Sequence, residues 1–264
     1  MSGRDLTLAA LQRRLDALEQ ELARRRDREE IENLAARYQH YWTAGQGGRI
    51  VDELWARRAE DVSSEVGPSG VYIGLERLAS YYQKEAAAGR LTVHTMTTPD
   101  IQVAGDGRTA RGLWLSIGSE SDAGELGEHP PKTLQERLLL TSRDSQGRAY
   151  RAEWVWQKFA VDFLREDGRW KLWHLHVYEL FRCPYQTDWV AFSSQRQALD
   201  GLRTDTLFTP DRLPPPGAPR EFNATEASTF HWQYAVDAVP VLQPEPLKPY
   251  EHWREIVQDR SEQG

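Results

Sequence analysis

The segment LTVHTMTTPDIQVAGDGRTARGLWLSIGSES, residues 91–121, decides the fold. Apolar and polar positions alternate along both halves, which is the period of a strand half-buried on one face. The GDG between them is a hairpin signal. Downstream, YRAEWVWQKFAVDFLRED (150–167) reads as a further long strand. DGR turns it, and WKLWHLHVYELF (170–181) pairs back. Upstream of residue 91 the pattern is helical. Helices first and an antiparallel meander afterwards predict an α+β fold, with helices on one face of a curved sheet.

Working back from the meander, LERLASYYQKEAAAG (75–89) predicts a helix with a glycine stop. SSEVGPSGVYIG (63–74) predicts a strand pair bent at Gly67 and Pro68, and RIVDELWARRA (49–59) a short helix. DREEIENLAARYQHYWTAG (27–45) carries Ile31, Leu34, Ala35, Tyr38, Tyr41 and Trp42 as an apolar and aromatic stripe at helical spacing. Ahead of it, residues 5–30 place Leu8, Leu11, Leu15, Leu18 and Leu22 three and four apart, a short coiled-coil seam. Such a seam either lies on its own domain or joins subunits. Regularity fades past residue 182. TPDRLPPPGAPREF (209–222) is proline-rich, and HWQYAVDAVPVLQPEPLKPYEHW (231–253) mixes prolines with aromatics. Disordered tails hold few aromatics, so this one reads as an ordered arm on its own subunit or a neighbour's. The resulting division is an N-terminal amphipathic helix (1–26), a central domain (27–181) and an extended C-terminal arm (182–264).

Composition narrows the function. A net charge of −7 with no uninterrupted basic stripe argues against nucleic acid. No apolar run approaches the ~20 residues of a membrane span, and no secretory signal opens the chain, so the expectation is a cytoplasmic protein. The single cysteine, Cys183, excludes an intramolecular disulfide and a cysteine-based zinc cluster. Dinucleotide, P-loop, HExxH and GxSxG motifs are all absent. Ten tryptophans exceed what one core needs and favour pocket walls or interfaces.

Chemistry concentrates in a few places. Alternation sets Trp170, Leu172, His174, His176 and Tyr178 on one face of the last strand. Two imidazoles at i and i+2 serve as core groups, as metal ligands with a third donor such as His94, or as acid–base groups. An ordinary pKa of ~6.5 suits the last role. His94 opens the first long strand. Ala110, Gly112, Trp114, Ser116 and Gly118 share a face on which small residues leave room beside one ring, and the competing reading is close helix packing. Trp154, Trp156 and Lys158 share another face, where a buried lysine would suit a phenolate and an exposed one would do nothing. Tyr38, Tyr41, Tyr72, Tyr81 and Tyr82 are core or pocket residues. Arg137 and Glu153 are lesser candidates.

Taken in order, DREEIENLAARYQHYWTAGQ, GLERLASYY, TVHTMTTPDIQVAGDGRTARG and REDGRWKLWHLHVY resemble the SnoaL-like branch of the nuclear-transport-factor-like superfamily. The resemblance implies a cone, a strongly curved sheet wrapped around helices with a deep pocket. Members include isomerases, dehydratases, cyclases and non-catalytic binders, so fold alone leaves function open. WKLWHLHVYELFRCPY and the tail AVPVLQPEPLKPYEHW further resemble a subset of cofactorless lyases acting on lignin-derived diaryl compounds. His94 stands where many relatives carry a histidine, one that works on the substrate in dehydratases of this fold. The acid that often follows the first helix is missing from YWTAGQGG. The implied activity is a cofactor-independent lyase on a small aromatic or polycyclic alcohol, with no metal. His94, His174, His176 and Tyr41 are the catalytic candidates. Tyr38, Tyr72, Trp114, Arg137, Trp154, Trp156, Lys158 and Tyr178 are the substrate-binding ones. Alternatives are a non-catalytic binding or assembly module, an isomerase or cyclase, or a metal-dependent enzyme. A homodimer or homotrimer is expected.

Overall fold

The computed structural model describes residues 7–66, 70–83, 86–122, 142–194, 224–226, 228–229 and 234–254. Helix α1 (Leu8–Thr43) is one continuous rod, its first turn capped by the Thr7 side chain accepting from the Ala10 amide. Asp27 is the first of its residues to be buried. Its carboxylate takes the Trp170 indole N–H at 3.1 Å and an ion pair from Arg165, which fastens the helix to the hairpin at the far end of the sheet. Ile31, Leu34, Ala35 and Tyr38 then bury the predicted stripe. A short α2 (Gly47–Arg49) opens into a π-helical turn (Ile50–Leu54), and α3 (Leu75–Tyr82) follows. Helix α3 stops seven residues before the predicted glycine, Gly89. Gly47 sits against the Tyr82 carbonyl and Gly45 against Ala86, so the chain leaving Tyr82 packs on the turn after α1.

The strands are β1 (Ser63–Val66), β2 (Val71–Ile73), β3 (Leu91–Val103), β4 (Thr109–Asp122), β5 (Ser142–Arg143), β6 (Ala149–Glu166) and β7 (Arg169–Pro184). Their order is β2-β1-β7-β6-β4-β3, with β5 on β6, in a curved and unclosed sheet. All pairs are antiparallel except β1 with β7. The GDG hairpin forms with Gly107 at φ +67°. The DGR turn is a two-residue connection with Asp167 and Gly168 both at positive φ, matching the twist of the flanking strands.

One face of this α+β sheet, the inner face, packs on the helices. Trp114, Phe159, Val161, Phe163, Leu172, Leu175 and Val177 meet Tyr38, Leu54, Trp55, Leu78 and Tyr82 there. The opposite, outer face carries the C-terminal arm. Amides of Gly105 and Asp106 donate to the carbonyls of Tyr250 and Glu251, and Lys158 Nζ donates to the Gln243 carbonyl at 2.8 Å.

Alternation in β7 is broken twice. Phe163 pairs with Leu172 and Asp162 with His174, so Trp173 is an extra residue. Leu180 is a second one, between Glu179 and Phe181. Each bulge exchanges the faces of everything beyond it. Trp170 and Leu172 are therefore core, whereas His174, His176 and Tyr178 point to the outer face. The sequence expectation of one shared face for all five is corrected by that inserted residue. The second bulge brings Arg182 back to the inner face.

Candidate active site

The inner face ends in a buried polar cluster. His94 on β3 pairs in register with Gly118 on β4, and its ring lies over that glycine, where no Cβ fits. Its Nε2 is 3.0 Å from Glu120 Oε1. The other Glu120 oxygen accepts from Arg182 Nη1 at 2.6 Å. The same nitrogen donates to Glu153 at 2.6 Å, and Arg182 Nε donates to Glu179 at 3.2 Å.

Burial alone would raise the Glu120 carboxyl, but Arg182 and His94 together hold it well below the usual carboxylate range. Arg182, desolvated yet beside Glu120, Glu179 and Glu153, is driven the other way and stays charged. An ionised Glu120 can only accept, so His94 donates to it from Nε2, and in the neutral imidazole the lone pair is then on Nδ1. That Nδ1 is buried and has no hydrogen-bond partner among the described residues, nor do Ser116 Oγ, Glu153 Oε1 or the Gln39 amide. Of these, His94 Nδ1, Ser116 Oγ and Glu153 Oε1 belong to inner-face positions of β3, β4 and β6, and buried polar atoms are normally satisfied. Tyr81 interacts with the same cluster. Burial raises its hydroxyl first, then Tyr82, Tyr72 and Glu120 do, against Arg182.

Aromatic rings adjoin the cluster. Tyr38 and Tyr82 share a hydrogen bond at 3.1 Å, Trp42 stacks on Tyr81, and Tyr72 lies 4.7 Å from Tyr81. Burial pushes the Tyr72 and Tyr82 hydroxyls up to about 12, so both are neutral donors. Trp114 fills the space over Gly112 against Phe163 as a core ring, so part of the expected hollow is solid. Tyr41 stands apart. Its hydroxyl donates to Glu53 at 2.7 Å and accepts from Arg49 at 2.8 Å in an exposed contact.

The outer face holds a cavity of about 800 Å³ between the sheet and the arm. His174, His176 and Tyr178 line it. His174 Nδ1 is 3.0 Å from Asp162, and His176 Nδ1 is 3.2 Å from Glu65, with its ring stacked on Tyr178. The three histidines that the sequence grouped are thus divided by the sheet, one inside and two outside. Trp154 and Trp156 are exposed on the outer face against Tyr185 and Phe181 and do not line that cavity. Lys158 is spent on the arm's backbone, and Arg137 lies outside the described residues. Glu120 and Arg182 escaped the sequence reading. The register offers the one signal for them: Glu120 and Glu153 stand directly opposite, a repulsive pair that requires a cation nearby.

Among the described residues no group of three or more His, Cys, Asp or Glu is disposed to hold a metal, and no helix is long and apolar enough to cross a membrane. A SnoaL-like domain model matches residues 23–176, more than half the chain, and the protein belongs to the SnoaL-like family. Solved structures similar to it include a type 2 hexachlorocyclohexane dehydrochlorinase, LinA, at 16% identity and TM-score 0.45, covering 62% of this chain and 92% of that one. The type 3 enzyme of Novosphingobium barchaimii LL02 stands at 15% and 0.45, covering 64% and 96%. A Mycobacterium tuberculosis protein of unknown function stands at 18% and 0.39, covering 57% and 74%. No curated protein sequence matches the chain.

Proposed function

We propose that the protein is a cofactor-independent lyase that uses His94 as a general base on a small aromatic alcohol. The observation that carries this reading is the His94–Glu120–Arg182 relay. A buried carboxylate fixed as an anion sets the imidazole tautomer and leaves Nδ1 as a proton acceptor inside the helix-covered face. This is the base-plus-orienter arrangement of acid–base catalysis, supplied here from β4 in place of the acid missing after α1. The adjoining tyrosines and Trp42 favour a flat ring as substrate.

For a para-hydroxybenzylic alcohol, the phenolic proton and the benzylic hydroxyl leave together as water and give a quinone methide. His94 then takes the proton of the adjacent carbon, which completes a dehydration. Alternatively it takes the proton of a neighbouring primary hydroxyl, and carbon–carbon cleavage releases formaldehyde. In both cases the electron pair rearomatises the ring, and the proton held by His94 returns to the phenolate. One proton transfer of this kind contributes about 10²–10⁴ in rate.

The test is incubation with phenolic diaryl alcohols and hydroxylated polycyclic alcohols, following formaldehyde and new conjugated absorbance. Turnover that disappears in His94→Ala supports the assignment. Turnover that survives in a folded His94→Ala protein removes it. Silence of the wild type across the panel, with ring compounds still bound, favours a non-catalytic binding module.

A further inference from the structure

The cavity under the C-terminal arm is not used by the chemistry above, yet its walls come from strands β1, β2, β4, β6 and β7 and from the arm. Its floor is Arg111 of β4, Ala160 and Asp162 of β6, His174 and His176 of β7, and Ser63 and Glu65 of β1. Its roof is the Leu242–Tyr250 stretch of the arm. At about 800 Å³ it falls within the range of small-molecule sites, about 300–1,000 Å³.

The lining sorts into spent and unspent charge. Asp162 is taken by His174 at 3.0 Å and by Arg111 Nε at 3.3 Å. Glu65 is taken by His176 at 3.2 Å, by the Ser228 hydroxyl at 2.7 Å and by the Thr229 amide at 2.5 Å. His174 has a further acid, Asp61, 3.5 Å from Nε2. Arg111 makes its one ion pair through Nε, and its two terminal nitrogens have no hydrogen-bond partner among the described residues. Lys248 on the roof is likewise unpaired among them, and so is the exposed Glu245. Arg111 and Lys248 thus bring two cationic groups to the lining with donors still open among the described residues. A guanidinium with both terminal nitrogens open suits a planar carboxylate.

The arm adds apolar groups to this lining. Pro244, Pro246 and Pro249 roof it, with Leu242 and Leu247, while Tyr178 and Tyr250 close the sides. Proline rings offer no backbone N–H, so this roof packs against a ligand face without competing for its polar edge. We propose that this cavity is a second, separate binding site for an aromatic carboxylate of one or two rings, whose carboxylate pairs with Arg111 while its rings lie between the sheet floor and the proline roof.

Calorimetric titration of the full chain with 2-naphthoate tests this, with 2-naphthalenemethanol and acetate as the uncharged and ringless controls. One equivalent of naphthoate is expected to bind at least tenfold more tightly than either control. Arg111→Gln is expected to weaken naphthoate at least tenfold, to the level of the alcohol, and His94→Ala to leave it unchanged. Ala160→Phe, which fills the cavity from the floor, is expected to abolish binding and decides the matter if the arginine variant does not fold. The proposal is overturned if naphthoate does not bind, or binds no better than the alcohol. Equal affinity in folded Arg111→Gln or Ala160→Phe overturns it too, as does loss of binding in His94→Ala, which would put the ligand on the inner face.

Discussion

The His94 ring lies flat over Gly118 on the neighbouring strand and reaches Glu120, two residues further along that strand, through Nε2. A methyl group at residue 118 would occupy the place of the ring. Gly118→Ala should therefore displace His94 while sparing the sheet, because alanine is otherwise tolerated in strands and Gly118 has no positive φ. The expected result is a fall in turnover of about 10²-fold or more, with an unchanged far-ultraviolet dichroism spectrum. Equal turnover in the variant would mean that His94 does not need this position.

Glu120→Gln keeps the shape and removes the charge. An amide can donate as well as accept, so the His94 tautomer is no longer dictated, and turnover should fall while substrate binding is largely kept. Stability gives a second readout. The Glu120 carboxyl sits well below its unfolded value of about 4.3. The contribution is therefore fully present above that pH and is lost as pH falls through the folded value. Urea unfolding at pH 7 should show wild type more stable than Glu120→Gln, with the gap narrowing towards pH 3. A gap that does not change with pH would mean that the charge is not what stabilises the fold there.

Arg182 answers to three carboxylates, so removing it should be worse than removing any one of them. Arg182→Met leaves Glu120, Glu153 and Glu179 facing each other without a cation, and breaking such a buried pair costs about 3–5 kcal/mol. Adding Glu120→Gln to that variant should restore part of the loss. Additive effects in the double variant would show that the two groups are not coupled.

These contacts explain where the sequence was legible. The helical stripe from Ile31 to Trp42, the GDG and DGR turns and the long alternating strands all announce themselves through local periodicity and turn chemistry, so the order of elements was readable. A bulge adds one residue without any mark in composition. Trp173 and Leu180 look like ordinary strand residues, yet they decide that His174 faces the arm and Arg182 faces the helices. Glu120 and Arg182 are 62 residues apart and meet only through the register of β4, β6 and β7. The parallel pairing of β1 with β7, which brings Glu65 to His176, was hidden for the same reason.

Cys183 lies beside this network on the opposite face of β7. Burial, with Glu153 and Asp188 adding to it, pushes its thiol up to about 11. At pH 8 the reactive thiolate is scarce and shielded. Native protein should resist a disulfide-exchange reagent for as long as it stays folded, and label promptly in denaturant. Rapid labelling under native conditions would contradict the buried position.

The last prediction concerns the N-terminal part of α1. Leu8, Leu11, Leu15, Leu18 and Leu22 are all exposed, although they form a seam spaced three and four apart. The first buried residue of the helix is Asp27, so residues 8–26 project from the body with an apolar stripe that no described residue covers. Two and a half heptads are too short to hold as a solitary helix in water, which makes a matching seam on another copy the natural cover. We propose that the seam joins copies into a dimer or trimer. Light scattering on size-separated protein should report a mass that is a small multiple of 30.3 kDa. Leu15→Asp with Leu22→Asp, two charges placed in the seam, should return it to that single-chain mass. Both positions lie outside the folded body, so the thermal transition of the body should survive. An assembly that persists in the double variant would assign the contact to another surface, and a wild-type monomer would leave the exposed leucines unexplained by self-association.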